Sequence, residues 1–109
     1  FSKSKYLFIL TPDTILKKNC ESELLKSINS KKSNFSIIAP IAKENNFGFF
    51  DKNRSINGKG FFEVDYVKGF AMVINKKKIK KIGFFDENIF LYLEEIDLCK
   101  RLLSNNQKI

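Results

Sequence analysis

Both prolines of this chain stand at the end of a short apolar run, and that punctuation limits what the chain can become. Tyr6-Leu7-Phe8-Ile9-Leu10 is five apolar residues long and halts at Thr11-Pro12-Asp13-Thr14. Such a run reads as a buried strand. Pro12 offers no N–H to a ladder, so pairing ends there and Asp13 falls on a turn at the strand's C-terminal edge. Residues 35–41 read as a second strand, again ended near a proline, Pro40.

Between these runs the pattern changes. Asn19 is placed to cap a helix from Cys20 to Asn29, with Glu21 and Glu23 in its first turn and Leu24, Leu25 and Ile28 as its apolar stripe. Residues 42–60 turn polar and irregular, with Asn45-Asn46, Asn57-Gly58 and Gly60, and read as a long loop or weak hairpin. Residues 61–67 and 70–74 are two further strand candidates, and Gly69 between them permits a kink or a close backbone approach to a ligand. Asn75 is placed to cap a short Lys-rich helix closing at Gly83. A last helix runs from Glu94 to Ser104, with Leu98, Cys99 and Leu102 inward and Asn105-Asn106 at its end. Alternating strands and helices without an internal repeat predict an α/β sheet domain.

The 109 residues make about one small domain, and 43% hydrophobic content with twelve Phe supplies a core. The chain begins at Phe1 and its first strand arrives almost at once, so the expectation is the second half of a larger domain. Net charge is +8, yet Arg54 and Arg101 are the only arginines among twenty basic residues. Readers of nucleic acid lean on Arg for bidentate contacts, so no nucleic acid is expected as a partner. Lys76-Lys77-Lys78-Ile79-Lys80-Lys81 is the densest basic run. It reads either as a solvated helix face or as a contact for anionic lipid headgroups.

Cys20 and Cys99 lack the spacing of a zinc site or a disulfide framework, and the chain has no His. Imidazole chemistry is therefore excluded, and any metal must be held by oxygen, which points to Mg²⁺ or Mn²⁺. No apolar stretch approaches the roughly 20 residues that span a bilayer. With no signal peptide visible, a cytoplasmic setting is expected, including the inner face of the cell membrane.

Five of the twelve acidic residues fall between Asp86 and Asp97, framed by Phe84-Phe85 and Phe90-Leu91-Tyr92-Leu93. Glu94 and Asp97, three apart, share a helix face, while Glu95 points elsewhere. Carboxylates at a helix start are favoured by the dipole, and carboxylates beside an aromatic wall gain proton affinity suited to a general base. Both readings stand for this cluster. Asp13 likewise reads as a turn former or as a ligand-binding group at a strand end.

Taken in order, Tyr6 to Thr14, Val64 to Ile74 around Gly69, Ile82 to Glu87, Phe90-Leu91-Tyr92 and Glu94-Glu95-Ile96-Asp97-Leu98-Cys99-Lys100-Arg101 resemble the second half of a family 2 glycosyltransferase. The nearest subgroup is rhamnosyltransferase-like, with the GT-A fold. The resemblance covers nearly all of the chain outside residues 42–60. It implies a partial GT-A domain, a mixed sheet flanked by helices, over residues 1–109, with the N-terminal nucleotide-binding half absent.

The resemblance also implies transfer of a hexosyl or rhamnosyl unit, with inversion, from a nucleotide-diphospho-sugar donor to an acceptor hydroxyl in cell-surface polysaccharide or glycolipid synthesis. The acceptor would be a saccharide or lipid-linked saccharide, with peripheral contact to a membrane. By the same likeness, Thr11-Pro12-Asp13 is the diphosphate motif, with Asp13 the ligand of Mn²⁺ or Mg²⁺. Glu95 takes the base position, with Glu94 beside it. Thr11, Gly69, Asp86, Asp97 and Arg101 fall at donor- and acceptor-side or supporting positions. Two departures stand out: Thr11 replaces the usual Asn or Asp, and Glu95 replaces the usual Asp. An added methylene moves a carboxylate by about 1.5 Å, and a shift of about 1 Å can cost about a hundredfold in rate. The isolated 109 residues are expected to be inactive. The other readings are a degenerate, non-catalytic relative and a basic module for nucleic acid or anionic lipid.

Overall fold

A computed structural model describes residues 3–30, 34–40, 63–88 and 93–109. Six elements follow in chain order: β1 (Tyr6–Leu10), α1 (Cys20–Asn29), β2 (Ile37–Ile38), β3 (Ala71–Asn75), α2 (Lys76–Ile79) and α3 (Glu94–Ser104). The three strands form one sheet in the order β1-β3-β2.

β3 is central because its sequence can be buried on both faces. Ala71, Met72, Val73 and Ile74 are all buried, whereas β1, at one side, leaves Phe8 and Leu10 exposed and turns Leu7 and Ile9 to the core. Both partners run antiparallel to β3, with Leu10 opposite Ala71, Tyr6 opposite Asn75, and Ile37 opposite Ile74. The expected mixed sheet is thus corrected: every strand pair among the described residues is antiparallel. The consequence for the site is direct. The end of β1 meets the beginning of β3, so the turn carrying Asp13 lies beside Gly69-Phe70.

α3 closes the core. Leu98, Cys99 and Leu102 have no solvent exposure and pack with Ile37, Met72, Ile74 and Ile79. Each fully buried Leu or Ile contributes about 1.5–3 kcal/mol of transfer free energy. Ile109 joins the same core, and its carbonyl accepts the Val64 N–H at 2.9 Å.

Other expectations shift by a few residues for identifiable reasons. The second strand shrinks to Ile37–Ile38, because the Ser36 N–H turns away to the Lys108 carbonyl at 2.8 Å. Residues 63–67 form no strand, since their backbone partners are Ile109 and the Cys99 thiol. In α1 Leu24 is buried while Leu25 faces solvent. Asn19 precedes the helix in a left-handed conformation (φ 67°) without a side-chain cap. Asn75 does not cap α2 either; its amide reaches the Phe35 carbonyl at 3.4 Å. Gly83 does end the α2 region, with φ 90° and its N–H on the Ile79 carbonyl at 2.9 Å. Residues 42–60 and 90–92 lie outside the described residues.

Candidate active site

Two short segments meet at the start of β3. From the β1 side, the Thr11 N–H donates to the Phe70 carbonyl at 2.9 Å, extending the ladder one step beyond the strand. Pro12 and Asp13 then turn back, and the Thr14 N–H returns to the Thr11 carbonyl at 3.1 Å. The Thr11 hydroxyl donates to Asp13 Oδ1 at 2.7 Å, leaving Oδ2 uncommitted to that bond on an exposed turn.

From the other side comes α3. A methyl group added at Gly69 would stand 3.8 Å from the Cβ, Cδ and Oε2 of Glu95. The Glu95 carboxylate therefore lies along the bare backbone of Gly69, one residue from the carbonyl that holds Thr11. Asp13 and Glu95 flank the same dipeptide, Gly69-Phe70. The antiparallel register produces this juxtaposition.

Glu94 precedes Glu95 at the first position of α3, and its Oε2 is buried without a hydrogen-bond partner among the described residues. A buried carboxylate oxygen without a partner is costly, of order 1–3 kcal/mol or more for a charged group. The preceding residue, Leu93, holds a left-handed φ of 67° and is largely exposed. A β-unbranched apolar residue in that region stores about 1–3 kcal/mol of backbone strain. Strain and an unpaired carboxylate thus sit together at the start of α3.

Asp97 and Arg101 support this end from behind. Arg101 Nε donates to Asp97 Oδ2 at 2.8 Å, one helical turn away. Its Nη1 donates to the carbonyls of Ile82 (3.1 Å) and Gly83 (3.3 Å), and Nη2 to that of Phe84 (2.5 Å). The guanidinium fork is thereby spent on the protein's own backbone and pins residues 82–84 to α3. Asp86 follows on an exposed turn, where its Oδ1 accepts the N–H and side-chain amide of Asn88, both at 2.9 Å. Those two bonds, with a smaller contribution from Arg101, hold the Asp86 carboxyl below the ordinary carboxylate value.

Cys99 lies inside α3 behind Glu95. Burial pushes its thiol up, the Val67 N–H bonded to it pulls down, and the neighbouring Glu95 charge adds to the rise. Its place on the inner side of α3 agrees with the spacing of Leu98, Cys99 and Leu102. Thr14 was also passed over by the sequence reading, yet its hydroxyl lies 2.7 Å from that of Thr11 and 3.3 Å from the Phe70 carbonyl. The arrangement is a carboxylate on a braced turn beside Phe70 and a second carboxylate, at a helix start, beside Gly69. Among the described residues no three His, Cys, Asp or Glu side chains gather into a metal cage.

The similarity to known proteins is confined to part of the chain. A 46-residue stretch, 42% of this chain, is 37% identical to the low-salt glycan biosynthesis hexosyltransferase Agl10 of Haloferax volcanii. The stretch spans 15% of that enzyme's length, so the likeness is to part of a glycosyltransferase. No protein family and no solved structure matches the chain.

Proposed function

We propose that the chain forms the acceptor and diphosphate side of an inverting, family 2-like glycosyltransferase of GT-A type. The observation that carries the reading is the convergence of the Asp13 turn and Glu95 on Gly69-Phe70. The partial likeness to a hexosyltransferase supports the same class.

The residues at the Asp13 turn fit a hard divalent cation in a limited sense. Mg²⁺ and Mn²⁺ are commonly held by one or two carboxylates together with substrate phosphates, and Asp13 offers one carboxylate on an exposed turn. Thr11 donates its hydroxyl proton to Asp13, so it orients that carboxylate and leaves the remaining positions to the donor diphosphate and water. A cation bound there would neutralise charge developing on the leaving diphosphate.

Glu95 acts as general base. The acceptor hydroxyl gives its proton to the Glu95 carboxylate as its oxygen bonds to the anomeric carbon. The carbon–oxygen bond to the diphosphate breaks on the opposite face, and the configuration inverts. Gly69 puts no side chain against the carboxylate where the acceptor would approach. Glu94, beside Glu95 at the start of α3, binds a second acceptor hydroxyl. Asp97 and Arg101 hold residues 82–84 against α3.

The acceptor is a saccharide or a lipid-linked saccharide, and the enzyme works at the cytoplasmic face of a membrane. No helix of the described residues is long and apolar enough to cross one. Lys5 and the α2 lysines gather at the Tyr6–Asn75 end of the sheet, where the Lys76 N–H donates to the Lys5 carbonyl at 3.2 Å. That end is opposite the candidate site and suits contact with anionic headgroups.

The test is calorimetric titration of an enzyme containing this chain and a nucleotide-binding half with a panel of nucleoside diphosphates, with and without Mn²⁺. Metal-dependent binding that Asp13→Ala abolishes, with the fold unchanged, is the expected result. Binding that is independent of metal, or unaffected by Asp13→Ala, overturns the reading.

A further inference from the structure

We propose that Thr14 is a positioning residue for the Asp13 carboxylate, acting through the hydroxyl of Thr11. The inference rests on the reading of Asp13 as the donor-side carboxylate, and goes beyond it by naming what aims that group.

The hydrogen-bond inventory fixes the direction of the chain. A threonine hydroxyl has one proton to give. Thr11 gives its proton to Asp13 Oδ1 at 2.7 Å. The 2.7 Å contact between Thr11 Oγ1 and Thr14 Oγ1 then requires Thr14 to be the donor. That single Thr14 proton is divided between Thr11 Oγ1 and, at the longer 3.3 Å, the Phe70 carbonyl, the same oxygen that accepts the Thr11 N–H at 2.9 Å. The order is therefore Thr14 to Thr11 to Asp13, anchored on Phe70.

This anchoring matters because of what Phe70 adjoins. Its neighbour Gly69 lies against Glu95. The two hydroxyls thus tie the Asp13 carboxylate to the same piece of backbone that the Glu95 carboxylate touches. Asp13 itself is exposed, and an exposed aspartate on a turn otherwise samples several rotamers. Thr14 is half-buried, so its own side chain is held by packing and can serve as the fixed end. Each hydrogen bond in a chain polarises the next, so losing the first weakens the second.

The experiment uses Thr14→Val, which keeps the shape and removes the hydroxyl, and Thr14→Ser, which restores it. Side-chain three-bond couplings report the Asp13 rotamer. Line broadening by Mn²⁺ alone reports cation binding at residues 11–14. The expected result is one dominant Asp13 rotamer in the parent chain and in Thr14→Ser, with averaged couplings in Thr14→Val. Apparent Mn²⁺ affinity should drop about tenfold in Thr14→Val, in line with the loss of a group that orients a metal ligand. Thr11→Val serves as the second variant should Thr14→Val fail to fold, and it should also release Asp13.

Unchanged Asp13 couplings in a folded Thr14→Val or Thr11→Val, or averaged couplings already in the parent, overturn the inference. A rotamer released by Thr14→Val with no Mn²⁺ broadening at Asp13 upholds the positioning role and sinks the metal reading alone. Broadening that Asp13→Asn removes but Thr14→Val leaves intact does the reverse.

Discussion

The Glu95 carboxylate lies along the backbone of Gly69, with Cβ, Cδ and Oε2 each 3.8 Å from where a methyl group at position 69 would be. That spacing is ordinary van der Waals contact, so an alanine there fits. Gly69 is also not among the residues with left-handed φ. Neither crowding nor backbone conformation demands glycine at this position, and the remaining effect of its small size is to leave one side of a carboxylate open.

Gly69→Ala should therefore separate stability from function. An alanine in a compatible conformation stabilises by about 0.4–1 kcal/mol through the unfolded chain. Urea unfolding should show a small gain or no change. Acceptor-dependent turnover in an active enzyme should fall, because the methyl covers Oε2. Lost stability with full turnover would contradict this.

In an active enzyme containing this chain, Glu95→Gln should lower kcat by about 10²–10⁴ with little change in donor affinity, the factor that general-base catalysis supplies. Glu95→Asp should retain appreciable activity if the cleft re-centres the shorter side chain. Glu94→Gln should weaken acceptor binding and show in KM. Full turnover in Glu95→Gln together with a dead Glu94→Gln would move the base one residue back.

Arg101→Lys should be costly despite keeping the charge. A lysine cannot reach Asp97 and three carbonyls at once. With about a third of each side chain exposed, the loss should be about 1–2 kcal/mol in urea unfolding. The Glu23–Lys26 pair offers the contrast, its side chains 66% and 72% exposed. Removing it should change stability by less than about 0.5 kcal/mol. Equal effects at the two sites would mean that the Arg101 clasp is no firmer than a surface pair.

Cys99 should give stability a decline at high pH. Below the ordinary thiol value of 9.0 both folded and unfolded chains hold the proton, and this contribution is fully present. Above it the unfolded chain releases the proton first, since burial raises the folded value. The unfolded state then binds fewer protons, and the free energy of unfolding falls until the folded thiol also ionises. Cys99→Ala should flatten that part of the profile relative to the parent, measured by urea unfolding from pH 8 upward. Identical slopes in the two proteins would exclude the effect.

The sequence reading succeeded where local pattern decides the outcome. Pro12 ended β1, and the spacing of Leu98 and Leu102 marked α3, whose bounds matched at both ends. It failed where distant backbone supplies the partner. The Ser36 N–H turns to Lys108 while its carbonyl stays on Asn75, and Val64 pairs with Ile109, partners that no periodicity encodes. The site divides the same way. Asp13 and Glu95 were legible as carboxylates in telling positions, whereas Thr14 and the four-bond clasp of Arg101 depend on carbonyls far along the chain.

The order β1-β3-β2 also sets a timetable. The central strand pairs with segments tens of residues upstream on both sides, and no hairpin joins two of the described strands through a tight turn. The chain must close long loops before the sheet returns any stabilisation, a route associated with folding in milliseconds to seconds. α1 and α3 can form from local contacts, but the meeting of the Asp13 turn with Gly69 waits for β1 to dock on β3. The Asp13 turn and Glu95 can both reach Gly69-Phe70 only once that long-range pairing is made.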